Sequence, residues 1–258
     1  MEPLLQAEHL TICYNGKPIV QDVSFTVGTG EILGIVGESG SGKSTIIKAA
    51  MGLLGTGGMV TRGDISYRGE NVVDMSVKER RRFLGPEMGM VFQDCKSALC
   101  PIRTVGKQIY ESLSEHEKVT KKEARERAET MMKKIGLHDV ERIWNSYPFE
   151  LSGGMNQRVG ICMAMMMKPS LLLADEPTSA LDVTVQKQVV EEMQLMRREY
   201  GTAMILVTHN IGVVEAMADQ VLVLKDGKAM DYGPADQVLH HSLNPYTKEL
   251  MESVLRLQ

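Results

Sequence analysis

The stretch Gly37-Glu38-Ser39-Gly40-Ser41-Gly42-Lys43-Ser44-Thr45 constrains this chain more than any other part of it. It follows the apolar run Ile32-Leu33-Gly34-Ile35-Val36 and precedes a helical pattern from Ile46 to Leu54, which Gly55, Gly57 and Gly58 close. Strand, glycine loop and helix in that order make a phosphate cradle, and the pattern G-x-x-x-x-G-K-S is complete from Gly37 to Ser44. Gly37, Gly40 and Gly42 let successive backbone N–H groups turn inward, while the helix presents the positive end of its dipole. Lys43 is placed to reach the β and γ oxygens of a nucleoside triphosphate, and the Ser44 hydroxyl to bind magnesium. Ser39, Ser41 and Thr45 complete the candidate binding positions of the loop. Alone, such a loop says nucleoside triphosphate and little more.

A second element stands at Leu171-Leu172-Leu173-Ala174-Asp175-Glu176, an apolar strand ending in two carboxylates. Neighbouring side chains on a strand point in different directions, so the two have separate jobs. Asp175 suits a magnesium ion held through water, and Glu176 suits a water to be oriented or deprotonated. Met204-Ile205-Leu206-Val207 is another short apolar run, and Val183 to Tyr200 is a helix long enough for the crossover between them.

The rest of the chain groups around these elements. Leu4 to Val36 reads as hairpins, with a turn at Asn15-Gly16, followed by the buried strand; Gly63 to Val73 reads as another hairpin. Ser76 and Glu79 have capping-box spacing before an Arg-rich helix. Between Asp94 and Lys168 the pattern is helical, and Ala124, Ala128, Met131, Met132 and Ile135 share one helix face. The predicted fold is α/β: a P-loop (RecA-like) core with an N-terminal antiparallel β subdomain and an inserted α-helical subdomain. The expected division is 1-93 and 169-258 for the two parts of the nucleotide-binding core, with 94-168 as the helical subdomain.

Composition narrows the class. The 258 residues are 43% hydrophobic with a formal net charge of −4, which argues against a sequence-independent polyanion binder and for no nucleic-acid partner. Cys13, Cys95, Cys100 and Cys162 show no metal-ligand spacing and read as reduced thiols. No signal sequence opens the chain at Met1-Glu2-Pro3 and no long apolar run follows, so any membrane role is expected to come through a partner. Lys78 to Arg82 reads as a solvated helix face, and Met163, Met165, Met166 and Met167 as adaptable core.

Leu151-Ser152-Gly153-Gly154-Met155-Asn156-Gln157-Arg158, taken with the two motifs above, closely resembles the signature of ATP-binding cassette (ABC) transporter ATPases. The resemblance spans essentially the whole chain. It implies that Gln93 is the Q-loop glutamine, contacting magnesium and the attacking water, and that Ser179-Ala180-Leu181-Asp182 is the D-loop. It implies that His209 is the switch histidine on the γ-phosphate and Tyr14 the ring stacked on adenine. Ser152, Gly153 and Gly154 would meet the γ-phosphate held by a second ATP-binding subunit, with Asp182 communicating across that interface, so two ATP molecules lie between two subunits. Asn210 departs from the family's usual aspartate, and Cys100 from the usual asparagine of one branch.

That branch is the peptide and nickel importers. Phe92-Gln93-Asp94, Ser97-Ala98-Leu99-Cys100-Pro101, Tyr147-Pro148-Phe149-Glu150 and Asn244-Pro245-Tyr246-Thr247 carry the likeness. Longer oligopeptide ATPases of the branch have a C-terminal cysteine cluster, whereas no cysteine follows Cys162, so a nickel-type subunit is expected ahead of a dipeptide or oligopeptide one. The resemblance implies ATP and Mg2+ as cofactors, two transmembrane permeases and an extracytoplasmic substrate-binding protein as partners, and a place at the cytoplasmic face of the cell membrane. Soluble ABC ATPases of DNA repair or translation share the cassette, but split it by a coiled coil or join two in one chain.

Overall fold

In the computed structural model, which describes residues 2–255, buried and solvent-facing residues alternate from the start. Strand β1 (Leu5–Tyr14) buries Leu5, Ala7, Leu10 and Ile12, and β2 (Lys17–Val27) buries Val20, Val23, Phe25 and Val27. They pair antiparallel across Asn15 and Gly16, both at positive φ, the backbone an Asn-Gly hairpin turn requires. Strand β3 (Ile32–Gly37) instead buries all six of its residues, as a strand covered on both faces must.

Helix α1 (Lys43–Ala50) starts at the lysine of the glycine loop and ends at Met51. This corrects the sequence expectation of a helix from Ile46 to Leu54. Gly42 is the N-cap, and Gly52, at φ 65°, ends the helical backbone before Leu53. Strand β4 (Gly58–Tyr67) begins earlier than the pattern at Gly63 suggests, because it pairs with β1 back to Tyr14. Its hairpin partner β5 (Glu70–Asn71) is only two residues long.

Helix α2 (Val77–Phe83) carries the reciprocal Ser76–Glu79 capping box, and it is largely solvated except that Arg80 donates to the carbonyls of Gly52 and Met75. After β6 (Met88–Val91) the chain leaves the sheet for α3 (Cys95–Ala98), α4 (Val105–Ser114), α5 (Lys121–Lys134), α6 (Val140–Asn145), a 3-10 turn at Pro148–Glu150, and α7 (Gly153–Met165). It returns through β7 (Leu171–Asp175), α8 (Val183–Tyr200) and β8 (Ala203–Val207). Both strands are fully buried and lie side by side in parallel. Helix α9 (Ile211–Met217), strands β9 (Gln220–Lys225) and β10 (Lys228–Pro234), and helices α10 (Ala235–His241) and α11 (Pro245–Leu255) follow.

Two sheets result. One is antiparallel, in the order β2-β1-β4-β5; the other runs β10-β9-β3-β8-β7-β6 and is parallel except for β10. Leu33, Ile35, Ile46 and Ile47 join the antiparallel sheet to one face of the larger sheet. Ile32, Leu172 and Leu206 on its other face meet Ile109, Met131, Val159 and Met193 of the helices, and the buried Met165 and Met166 join this cluster. The architecture is an α/β P-loop core with an antiparallel β layer and a helical segment inserted between β6 and β7. Parallel packing of β3, β8 and β7 brings their carboxyl ends to one edge, where an open α/β sheet binds ligand. Among the described residues no helix is long and apolar enough to cross a membrane.

Candidate nucleotide site

The glycine loop leaves the end of β3 with little room to spare. At Gly37, with φ 146°, an added Cβ would stand 2.1 Å from the Leu224 carbonyl oxygen; at Gly42, with φ 100°, it would meet the Ile19 carbonyl at 2.9 Å. Glycine is required at both positions by space and by backbone angle. The loop is thereby clamped between β9 and β2, and the Gly227 amide donates to the Ser41 carbonyl at 3.1 Å. Lys43 folds back inside it, its Nζ donating to the carbonyls of Gly37 at 2.8 Å and Glu38 at 2.7 Å. Burial holds the Lys43 pKa below its ordinary value, against the opposing pull of Glu176, Asp175 and Glu38. Glu38, Ser39 and Gly40 are exposed, while the Ser41 hydroxyl is buried without a partner.

The two carboxylates at the end of β7 diverge. Asp175 is buried and its Oδ1 accepts the Ser44 hydroxyl proton at 2.7 Å; burial raises its pKa, and the Ser44 hydrogen bond opposes the rise. Glu176 turns away from it, and its Oε2 lies 3.1 Å from His209 Nδ1 and 3.4 Å from Gln93 Nε2. Gln93 and His209 are both exposed, so this trio faces solvent beside the loop. The Ser44–Asp175 pair offers one hydroxyl and one carboxylate oxygen, a hard and sparse donor set that suits magnesium when phosphates supply further oxygens. Glu176 stands between an amide and an imidazole, and a carboxylate so placed can accept a proton from water.

Other sequence-derived positions lie outside this cluster. Ser152 caps α7, accepting the Met155 amide at 3.2 Å; Ser152 and Gly153 are exposed and Gly154 is half-buried against Val185. Asp182 caps α8, accepting the Val185 amide at 3.0 Å. Among the described residues, neither group shares a hydrogen bond with the glycine loop or Glu176. Tyr14 is half-buried, its hydroxyl donating to the Leu54 carbonyl at 2.6 Å. Asn210 donates to Gln186 Oε1 at 3.3 Å, and the Cys100 loop is closed by backbone bonds to Gln108 rather than by its side chain.

Sequence reasoning gave no individual role to three residues of the signature helix. Asn156 donates to the carbonyls of Pro148, Leu151 and Ser152; Gln157 donates to the Phe92 carbonyl beside Gln93; Arg158 pairs with Glu192 of α8 at 2.5 Å and also bonds the Ile135 carbonyl. The signal available was three consecutive polar residues beside an apolar helix face, where burial demands partners.

The ABC transporter family model matches residues 20–179, which hold the glycine loop, Gln93, the signature and both carboxylates. The chain belongs to the ABC transporter family. This ABC transporter subunit binds ATP, and its reaction is ATP hydrolysis. It is 40% identical to the oligopeptide transport ATP-binding protein OppD of Haemophilus influenzae, over 100% of its own length and 80% of the relative's. It is 39% identical to the metal-staphylopine import system ATP-binding protein CntD of Staphylococcus aureus, over 97% of its own length and 93% of the relative's. The dimeric structure of a post-hydrolysis state of the ATP-binding cassette MJ0796, bound to ADP and Pi, superimposes with a TM-score of 0.79 at 26% identity, covering 90% of this chain and 98% of that one.

Proposed function

We propose that this subunit powers an importer for short peptides or for nickel and its chelates. The observation that carries this reading is similarity along nearly the whole chain to an oligopeptide transport ATP-binding protein, OppD, and to a metal-staphylopine import system ATP-binding protein, CntD. In this reading residues 1-93 and 169-258 form the nucleotide-binding core and 94-168 the helical subdomain. The glycine loop, from Gly37 through Thr45, binds the phosphates, and Tyr14 stacks on adenine. Ser44, Asp175 and Gln93 would hold magnesium, which when bound offsets the charge of the phosphates.

Glu176 accepts a proton from the attacking water, and Gln93 and His209 orient that carboxylate and the γ-phosphate. Ser152, Gly153 and Gly154, exposed at the start of α7, face the nucleotide of a second ATP-binding subunit, with Asp182 at the same interface; the MJ0796 cassette, described as dimeric, supports this pairing. Two permeases and an extracytoplasmic binding protein complete the assembly, which places the subunit at the cytoplasmic face of the membrane. An apolar groove of about 280 Å³, lined by Met51, Met90, Phe92, Leu99, Met163 and Met167, supports a partner docking beside Gln93. Co-purified with candidate permeases, the subunit is expected to hydrolyse ATP faster when a loaded binding protein is added. Stimulation by DNA or ribosomes instead would place it among the soluble cassettes.

A further inference from the structure

The segment Asn244-Pro245-Tyr246-Thr247 is distant in sequence from the glycine loop, yet the fold brings it to the loop's back wall. Asn244 opens α11: its Oδ1 accepts the amides of Tyr246 at 2.9 Å and Thr247 at 3.4 Å, and its Nδ2 donates to the Met230 carbonyl of β10 at 2.7 Å. Pro245, at the first helical position, needs no amide partner and fixes the entry angle. Tyr246 is thereby held 7% exposed, with Lys225 Nζ 4.2 Å from its ring centre. Lys225 directly follows Leu224, the β9 residue in register with Gly37. The next turn holds Gly227, whose amide reaches Ser41.

Tyr246 packs with Val36, the residue that leads into the glycine loop, and Glu38 of that loop is the group that bears on its hydroxyl. An ordinary phenol is already a neutral donor near pH 7, and burial raises this one's pKa further. That hydroxyl is buried with no hydrogen-bond partner, and such a group in a native fold asks for a reason. The Glu38 carbonyl is at the same time one of the two oxygens that hold Lys43. Phosphates entering the cradle would draw Lys43 off those oxygens and leave the Glu38 carbonyl with the Ser41 amide alone, at 3.2 Å.

We infer that Tyr246 is a positioning residue for the glycine loop, its hydroxyl engaging Glu38 when nucleotide draws Lys43 away. The inference rests on the reading of that loop as the ATP cradle. Tyr246→Phe keeps the ring and its contact with Lys225 and deletes only the hydroxyl. Fluorescent-nucleotide titration should show ATP bound about three- to tenfold more weakly, the loss of one hydrogen bond. KM for ATP in the assembled complex should rise by the same factor, with kcat within about twofold and the melting temperature not lowered. Thr247→Val deletes the other unpaired buried hydroxyl of the same turn, about 100° away around the helix, and should bind ATP like the unaltered protein.

Wild-type affinity in Tyr246→Phe, or an equal loss in Thr247→Val, overturns the inference while leaving the cradle in place. An unaltered protein that binds no ATP overturns the cradle and this inference together.

Discussion

Glu176 has a φ of 45°, a backbone conformation that costs a non-glycine residue of order 1–3 kcal/mol. Its amide donates to the Val207 carbonyl at 2.8 Å, and its own carbonyl accepts the amide and hydroxyl of Ser179, which hold the kink. The kink breaks the strand's alternation and carries the carboxylate to Gln93 and His209 while Asp175 stays on Ser44. Lys43 is the complementary case, a buried cation held by two carbonyls that, in the proposed reading, give way to phosphate. Lys43→Ala should weaken ATP binding at least about tenfold in a nucleotide titration, since a charge-assisted contact is lost without replacement; unchanged affinity would remove the lysine from the cradle. Residue types and spacing made both positions legible. The kink at Glu176 was not, because no side chain in Asp175-Glu176-Pro177 demands a positive φ.

At the scale of elements, periodicity and capping chemistry carried most of the fold. The box at Ser76, the crossover Val183–Tyr200 and the buried runs of β7 and β8 stand where local sequence puts them. The ends of α1 and β4 do not, since they depend on Gly52 and on pairing with a strand more than forty residues earlier. Contacts between helices were equally hidden. Arg158 ties α7 to α8 through Glu192, which burial pushes up to about pKa 7 despite the facing guanidinium. The folded protein therefore keeps a proton that the unfolded chain gives up near pH 4.5. Stability should fall as pH rises from about 4.5 to 7, by at most about 1.4 kcal/mol per unit, and level off above. Thermal melting of Glu192→Gln against the unaltered protein should show that slope reduced; an identical pH profile would mean that Glu192 does not carry it.

For the whole molecule, the parallel strands of the larger sheet gather Lys43, Ser44, Asp175, Glu176, Gln93 and His209 at a single edge, while the signature at the start of α7 stands apart from them, exposed. In the proposed reading a second subunit brings its own signature to this cradle and its own cradle to this signature. The family was legible from three short motifs, whereas the link from α11 to the glycine loop needed the folded chain. In the proposed mechanism Glu176 drives hydrolysis in a cradle that binds ATP without it. Turnover and ATP affinity of Glu176→Gln in the assembled complex test this most directly. The expected result is a fall in kcat of about a hundredfold or more with ATP affinity within about twofold of the unaltered protein. Turnover close to that of the unaltered protein would contradict it.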